Sequence, residues 1–488
     1  MAQIKPMKLL ILALAMILPV IGHAQDPNQL PELGNSSSAF VSQQQEHQLG
    51  RIWLRQLRAQ ANTIEDPIAK AYIEDLIYRL APHSEVQDSR FEFVIIDQAE
   101  LNAFAVPGGI IGINAGIFLY ARDEDELAAV MAHELAHLSQ RHFARQVENA
   151  ERQAPIAIAS LLASILLIAT NNPDAGFAGL VTTQAASAQT QLAYSRDWER
   201  EADRTGMKTL AGSGMDPHAM PSMFQQMLAA NRYNERPPEF LLTHPVTDTR
   251  VSDAANRAES FPLKPRSKSF VFQTLQHRAR IRYVLGSLPV SDQIAYFDKQ
   301  LSKDSDTTLK DALIYAKAHI WFEQQEWSKA LTEVNEISSA NKEQPASLIL
   351  KANTLHAQGN SKQAIQLLQN AYQLRPDSYA LSLALANIQT LSDQAELAIN
   401  DLVRWSEKRG TDPNIWKQLM ETANKAEKTL LSYRARAEFL FLKGQKVKAL
   451  RQLEFAVEYA TKNASYQQQA ALKERLNQMV RSKESLSL

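Results

Sequence analysis

Residues 131–142 read MAHELAHLSQRH, a stretch in which His133 and His137 stand four residues apart and Glu134 follows the first of them. On an α-helix, residues four apart lie on one face, one turn from each other, so both imidazoles can reach one metal ion. Zinc accepts such nitrogen ligands, and a neighbouring carboxylate can take a proton from a metal-bound water. A merely polar helix face is the alternative that these residues leave open.

The surroundings of the motif favour a metal site. The stretch VMAHELAHL is otherwise apolar, and burying two histidines and a glutamate without partners would cost free energy. Asp123 followed by Glu126 is typical of a helix start, and the sequence predicts one helix that carries the motif and continues to Gln146. On such a helix His142, nine residues after His133, lies about 180° away, so it is set aside as a ligand.

A third ligand must come from another part of the chain. The metzincin pattern HExxHxxGxxH is excluded, because Gln140 stands at its glycine position and Phe143 at its third histidine. A glutamate on a second helix is the remaining common option. The stretch SRDWEREADRTG offers Glu199 and Glu201, with Asp203 one turn after the first of them. Only one of the two glutamates can face the metal, and for Glu201 an ordinary solvated charge is preferred.

Short elements precede the motif. Helical spacing of apolar residues predicts helices over 42–61 and 67–81. Strand patterns at 91–96, 103–106 and 110–113, with a Pro-Gly-Gly turn before the last of them, predict a small sheet. The strand at 102–106 is either an ordinary sheet strand or an exposed edge on which a substrate binds as an added strand.

The N-terminus is typical of a cleaved export signal. Lys5 and Lys8 accompany an apolar run from Leu9 to Ile21, which small residues follow. We therefore expect a signal over 1–24, a flexible leader over 25–40 and a periplasmic location. An uncleaved anchor is the alternative, but the thirteen apolar residues of the run fall short of the ~20 that span a bilayer.

Composition excludes some classes of protein. The 52 basic and 53 acidic residues leave a formal charge of −1, so no overall attraction to nucleic acid is expected. The chain has no cysteine, and its stability must come from packing rather than disulfides. The nearly unbroken apolar run Pro155–Thr170 is too short for a comfortable membrane span. It is interpreted as a buried or lid helix, with contact to membrane or a hydrophobic client as the alternative.

Alanines recur with a 34-residue period in the C-terminal half, in two sets that keep a constant offset. A further pair, Ala437 and Ala449, keeps the internal spacing of twelve but follows the previous pair by 51 residues, which predicts an insertion of about half a repeat. Small residues at this period, where two helices cross, are typical of tetratricopeptide repeats, which stack into a surface that binds polypeptide. The two sets are Ala318, Ala352 and Ala386, and Ala330, Ala364 and Ala398.

The motif HELAH, the stretch NAFAVPGG before it and EREAD after it together resemble the gluzincin family of the CAAX prenyl protease and the mitochondrial Oma-type protease. That resemblance implies one Zn²⁺ per chain, held by the two motif histidines and by Glu199 as the first glutamate of ExxAD. It also implies that Glu134 is the general base and that Asp203 orients His137.

The same resemblance gives a role to the His-Pro pair in LLTHPVTDTR. His244 maps to a family histidine that either fills the fourth zinc position and silences the enzyme or bonds the tetrahedral intermediate. A loop histidine without metal contact is the alternative. Arg250, six residues on, is expected either to stabilise the oxyanion or to pair with an acid.

With its repeats, the chain is similar to the periplasmic beta-barrel assembly-enhancing proteases of Gram-negative bacteria. The fold implied is mainly α, with an α+β zincin-like metalloprotease domain containing a small sheet over 41–262, a connecting helical segment over 263–310 and an α-solenoid of tetratricopeptide repeats over 311–482. The implied enzyme is a zinc metalloendopeptidase with chaperone-like activity.

The implied partners are outer-membrane proteins and the machinery that assembles them. Such an enzyme degrades misassembled outer-membrane β-barrel proteins, assists the assembly of others at the barrel-assembly machinery and makes a peripheral contact with the outer membrane. A non-proteolytic chaperone or adaptor, with a latent or structural zinc site, is the alternative. Glu134 discriminates between the two functions, because a purely structural site has no need of a general base.

Overall fold

The computed structural model describes residues 42–149, 162–163, 165–167, 169–170, 188–233, 238–463 and 465–482. The predicted signal over 1–24 and leader over 25–40 lie outside them. The described chain is mainly helical with one small sheet, which confirms the predicted fold class. Within these ranges, no helix has the length and apolar character needed to cross a membrane.

The N-terminal half places a three-stranded sheet among helices. Its strands are β1 (Glu92–Ile96), β2 (Ala103–Val106) and β3 (Ile110–Asn114). The helices are α1 (Gln43–Gln60), α2 (Pro67–Leu80), α3 (Ile117–Tyr120), α4 (Glu124–Ser139), α5 (His142–Asn149), α6 (Ala188–Gly212), α7 (Ala219–Tyr233), α8 (Glu239–Thr243) and α9 (Asp248–Ala258).

The sheet has the strand order β1-β3-β2. β1 pairs with β3 in parallel, and β2 pairs with β3 antiparallel, with Phe104 opposite Gly112. Both β1 and β3 are fully buried and rich in isoleucine, as expected of strands covered on both faces. A Cβ at Gly112 would lie 2.0 Å from the ring of Phe104, so only glycine leaves room for that ring. β2 lies at an edge of the sheet and contacts α4.

Helix α4 carries the HELAH motif but ends earlier than predicted. The side chain of Asp123 accepts a hydrogen bond from the backbone N–H of Glu126 and caps its start. The helix ends at Ser139, and Arg141 adopts a φ of 50° in the left-handed region. A new helix, α5, then begins at His142, so the prediction of one continuous helix to Gln146 is wrong.

Helix α6 begins at Ala188, before the predicted start near Ser195, and crosses α4 closely. The contact point is Gly206, where a Cβ would lie 3.1 Å from the backbone of Ala132 and His133. Because glycine has no side chain there, the two helices approach until the acidic face of α6 meets the histidines of α4.

Part of the apolar run Pro155–Thr170 lies among the described residues. Leu162, Leu166 and Ala169 are buried against a cluster that includes Trp53. The indole N–H of Trp53 donates a hydrogen bond of 2.9 Å to the backbone oxygen of Leu162. These residues pack on α1, and the rest of the run lies outside the described residues.

The C-terminal half is an array of helix pairs. The eight alanines of the repeat pattern are all buried. The helices are α10 (Phe270–Arg280), α11 (Val290–Leu301), α12 (Thr307–Glu323), α13 (Trp327–Glu336), α14 (Pro345–Ala357), α15 (Ser361–Leu374), α16 (Tyr379–Leu391), α17 (Ala395–Lys408), α18 (Pro413–Lys425), α19 (Thr429–Leu442), α20 (Lys446–Lys462) and α21 (Tyr466–Arg481). The single helix α18 separates the pair α16–α17 from the pair α19–α20, which confirms the predicted half-repeat insertion.

The array folds back onto the N-terminal half. Lys70 on α2 pairs with Asp412 at 2.9 Å, and both side chains are buried. Asn414 donates a hydrogen bond of 2.9 Å to the backbone oxygen of Glu65, and Arg409 pairs with Glu74. These contacts join the start of α18 to the region around α2.

We expect Gly206→Val to loosen the crossing of α4 and α6. A valine side chain would overlap the backbone of α4, and overpacking of this kind costs about 1–3 kcal/mol. Urea unfolding of the metal-free protein measures the loss of free energy. Ala211→Val, at a partly exposed position of the same helix, is the matched control and should cost less. Equal losses in the two variants would contradict a close contact at Gly206.

Candidate metal centre

The structure brings the ligand atoms of four predicted site residues within 4.8 Å of one another, namely those of His133, His137, Glu199 and His244. His133 Nε2 lies 3.0 Å from His137 Nε2 and 3.4 Å from His244 Nδ1. Glu199 Oε1 lies 2.9 Å from His244 Nδ1 and 3.4 Å from His137 Nε2. The ligand atoms of a tetrahedral zinc, with bonds of about 2.0–2.1 Å, are about 3.3–3.4 Å apart. The donor types and their separations fit such an ion.

The two motif histidines lie one turn apart on α4, and both point Nε2 into the cluster. His133 Nδ1 lies 2.9 Å from Asp203 Oδ1. The prediction that Asp203 orients His137 is therefore wrong, because α6 crosses α4 at a level that sets Asp203 beside the earlier histidine. Burial lowers the pKa of His133, but the carboxylates of Glu199 and Asp203 outweigh it and raise that pKa to about 10. A metal ion must displace this proton to bind.

Glu199 reaches the cluster from α6 and is buried. Burial alone would raise the pKa of its carboxyl group, but His244, Arg250 and His133 outweigh that effect and hold the pKa well below its usual range. The carboxylate is therefore ionised, as a metal ligand must be.

Arg250, on α9, joins the acidic face of α6 to the loop after His244. Its guanidinium donates two hydrogen bonds to the carboxylate of Asp203, at 2.8 and 2.7 Å, and one of 2.7 Å to the backbone oxygen of Pro245. Arg250 Nη1 also lies 2.9 Å from Glu199 Oε2. Of the two expected roles, pairing with an acid is the one that these contacts support.

His244 caps the end of α8, where its backbone N–H donates to the oxygen of Phe240. Its ring stacks on Phe240 with centroids 4.7 Å apart and planes 27° apart. Nδ1 faces the cluster, whereas Nε2 lies 3.6 Å from Glu134 Oε1. The ring therefore stands between the ligand atoms and the glutamate of the motif.

Glu134 is buried, and its Oε1 has no hydrogen-bond partner among the described residues. A buried carboxylate oxygen without a partner is costly. This oxygen lies 3.6 Å from Nε2 of His244, the residue whose other nitrogen faces the ligand cluster. The position suits a group that exchanges a proton with a reactant at the centre.

Sequence reasoning gave no role at the centre to two further residues beside it, since it set His142 aside as a ligand and interpreted Glu201 as a solvated charge. His142 is buried, and its Nδ1 lies 2.9 Å from His137 Nδ1, because the chain turns at Arg141 and brings it back. Its other nitrogen faces Glu201, which also pairs with Arg145 at 2.9 Å, so Glu201 is not merely a solvated charge. The polar run after the apolar helix was the only signal of this turn, since it contains neither glycine nor proline.

Known proteins resemble this chain over nearly its full length. The beta-barrel assembly-enhancing protease of Yersinia pestis is 35% identical over 426 residues, which cover 86% of each chain. The chain belongs to this protease family. The family's Escherichia coli (strain K12) protein is 34% identical over 423 residues, which cover 86% of this chain and 85% of that one.

Models of two further protein families match separate parts of the chain. Residues 67–258 match peptidase family M48, and residues 355–422 match a tetratricopeptide repeat. The mitochondrial metalloendopeptidase OMA1 of Schizosaccharomyces pombe is 29% identical over 180 residues, which cover 37% of this chain and 50% of that one. The chain is thus a metallopeptidase, with its candidate metal centre inside the matched peptidase region.

Proposed function

We propose that the protein is a periplasmic zinc endopeptidase that degrades unfolded or misassembled outer-membrane β-barrel proteins and assists the assembly of others. The observation that carries the enzymatic part is the convergence of His133, His137, Glu199 and His244 beside the unpartnered oxygen of Glu134. A structural zinc site has no use for that buried carboxylate, whereas hydrolysis requires a base there.

Each residue of the centre has a distinct part in this proposal. His133, His137 and Glu199 hold the zinc, which when bound supplies a Lewis acid that activates water for attack on a peptide carbonyl. Glu134 accepts the proton of the attacking water and passes it to the leaving amine. Asp203 fixes the ring of His133, and Arg250 in turn holds Asp203 and Glu199.

His244 is proposed as a removable fourth ligand. Its Nδ1 lies within the ligand cluster, and its ring separates Glu134 from the other three ligand atoms. With His244 in place, water and substrate are kept from the position where the base acts. His244 sits at the end of the short helix α8, in a loop that Arg250 holds through a single backbone oxygen. Release of this loop opens the centre.

Strand β2 is proposed to bind the substrate in extended form. The backbone N–H of Asn114 donates to the oxygen of Asn102, so these two residues form a hydrogen-bonded pair. In an antiparallel ladder every second residue pair is hydrogen-bonded, and the next such pairs along β2 contain Phe104 and Val106. The backbone groups of Phe104 and Val106 therefore face β3, and those of Ala105 face away from it. An extended peptide can add to this edge as a further strand, next to α4.

The relatives and the sequence support the proposed clients and location. The bacterial relatives are named for β-barrel assembly, and the predicted signal over 1–24 directs export, which places the barrel proteins within reach. The helical array supplies a surface for a polypeptide client or for the assembly machinery. A chaperone or adaptor whose zinc site is only structural remains the competing function, and the buried Glu134 argues against it.

Glu134→Gln should retain zinc and lose cleavage of an unfolded barrel protein. The amide cannot accept the proton of water, and loss of general base catalysis costs roughly 10²–10⁴-fold in rate. Zinc content by mass spectrometry and cleavage by gel assay, on the mature protein, provide the measurement. Equal cleavage by wild type and variant would refute the protease assignment and favour the chaperone.

His244→Ala should raise the rate of proteolysis. If His244 occupies the centre in about nine of ten molecules, removal of its imidazole raises the rate about tenfold, because the rate scales with the fraction of open molecules. Steady-state cleavage of the same substrate measures this, with zinc content as the control. Loss of cleavage with zinc retained would overturn the latch and make His244 a catalytic group.

Ala105→Pro should weaken substrate binding without unfolding the sheet. Proline removes the N–H that faces the free edge and leaves the ladder to β3 intact. A lost hydrogen bond of about 0.5–1.5 kcal/mol corresponds to a rise in KM of up to roughly tenfold. Ala105→Val, which keeps the N–H, is the matched control. An unchanged KM in the proline variant would contradict substrate binding at this edge.

A further inference from the structure

His142 lies in a buried position between the candidate metal centre and the side chains of Trp198 and Glu201 on α6. Its ring stacks on Trp198, with centroids 5.5 Å apart and planes 13° apart, and 4% of the residue is exposed. Arg145, one turn further along α5, also lies over the ring of Trp198, with its guanidinium carbon 5.7 Å from the ring centroid. The ring of His142 is thus packed against the indole of Trp198.

The two nitrogens of His137 face different neighbours. Nε2 points into the ligand cluster, whereas Nδ1 lies 2.9 Å from His142 Nδ1. These nitrogens lie on opposite sides of the imidazole ring, so His142 is not a further ligand of the same ion. It contacts the side of His137 that faces away from the centre.

The protons on these rings follow from the contacts. A histidine that binds a metal through Nε2 carries its hydrogen on Nδ1 and donates it to a neighbour. His142 Nδ1 must then accept, which leaves the hydrogen of the neutral His142 ring on Nε2. Its Nε2 lies 3.3 Å from Glu201 Oε2, an acceptor that Arg145 also holds. The N–H groups of His137 and His142 therefore each have an acceptor, in His142 Nδ1 and in the carboxylate of Glu201.

We propose that His142, held by Glu201, is a positioning residue that fixes the orientation and the metal-binding tautomer of His137. Burial of the ring and its stacking on Trp198 prevent it from turning away from this contact. The two motif histidines then have different supports, because His133 faces the carboxylate of Asp203 and His137 faces a neutral imidazole.

This inference rests on the proposed zinc centre and is tested through zinc affinity rather than through cleavage. Two variants of similar volume separate the two nitrogens of His142. The amide oxygen of asparagine can take the place of Nδ1 as the acceptor, whereas the amide of glutamine reaches the place of Nε2 and leaves His137 Nδ1 without a partner. Zinc dissociation constants, from competition with a chromophoric chelator, are measured for wild type, His142→Asn and His142→Gln.

We expect His142→Asn to bind zinc nearly as tightly as wild type and His142→Gln to bind it about 10–100-fold more weakly, the usual effect of losing such a support. A merely structural role would weaken both variants alike. Equal affinities in the two variants, or weaker binding by the asparagine variant, would overturn the proposal. Failure of the wild type itself to bind zinc would instead refute the proposed function.

A second pair of variants keeps the test independent of changes at the buried ring. Glu201 is partly exposed, and Glu201→Gln retains an oxygen that can accept from His142, whereas Glu201→Leu does not. The leucine variant should bind zinc more weakly than the glutamine variant, and equal affinities would contradict the part assigned to Glu201. His218→Asn and His218→Gln, at a histidine that pairs with Asp216, are the controls and should match wild type.

Discussion

Four donor atoms that converge in the interior of the protease half are the constraint on which the rest of the structure depends. Imidazole nitrogens and a carboxylate oxygen within 4.8 Å of one another are stabilised together only if protons or a cation balance their lone pairs and charge. The surrounding contacts fit this requirement. Asp203, Arg250 and His142 each hold one of the donor-bearing side chains from behind, so that the donor atoms face inward.

The fold meets this constraint with few elements. Gly206 allows α6 to approach α4, which sets Glu199 and Asp203 opposite the two motif histidines. The reversal at Arg141 then directs α5 back against the same pair of helices, and Arg250 joins α9 to them. The sheet contributes β2, an edge strand of the described sheet that contacts α4. The supports from Asp203 and Arg250 are thus contacts between helices distant in sequence, whereas that from His142 depends on the turn between two consecutive helices.

The sequence predicted the features that depend on local spacing. The i, i+4 histidines, the strand pattern, the 34-residue period and the half-repeat insertion all follow from periodicity, and the structure has the corresponding helices and sheet. Prediction from the sequence failed where contacts between separate helices determine the position of a side chain. No glycine or proline marks the end of α4, so the turn at Arg141 was missed, and with it the contacts of His142 and Glu201. The level at which α6 crosses α4 decides which histidine Asp203 meets, and one sequence carries no signal of it.

The central claim is that one zinc ion is bound by three imidazoles and one carboxylate. Zinc K-edge absorption spectroscopy of the mature protein tests it most directly, because it measures the number, type and distance of the ligands. The account predicts one zinc per chain with four nitrogen or oxygen ligands at about 2.0–2.1 Å and scattering from three imidazole rings. A zinc site with fewer than three imidazoles, or a protein that retains no stoichiometric zinc, would contradict it.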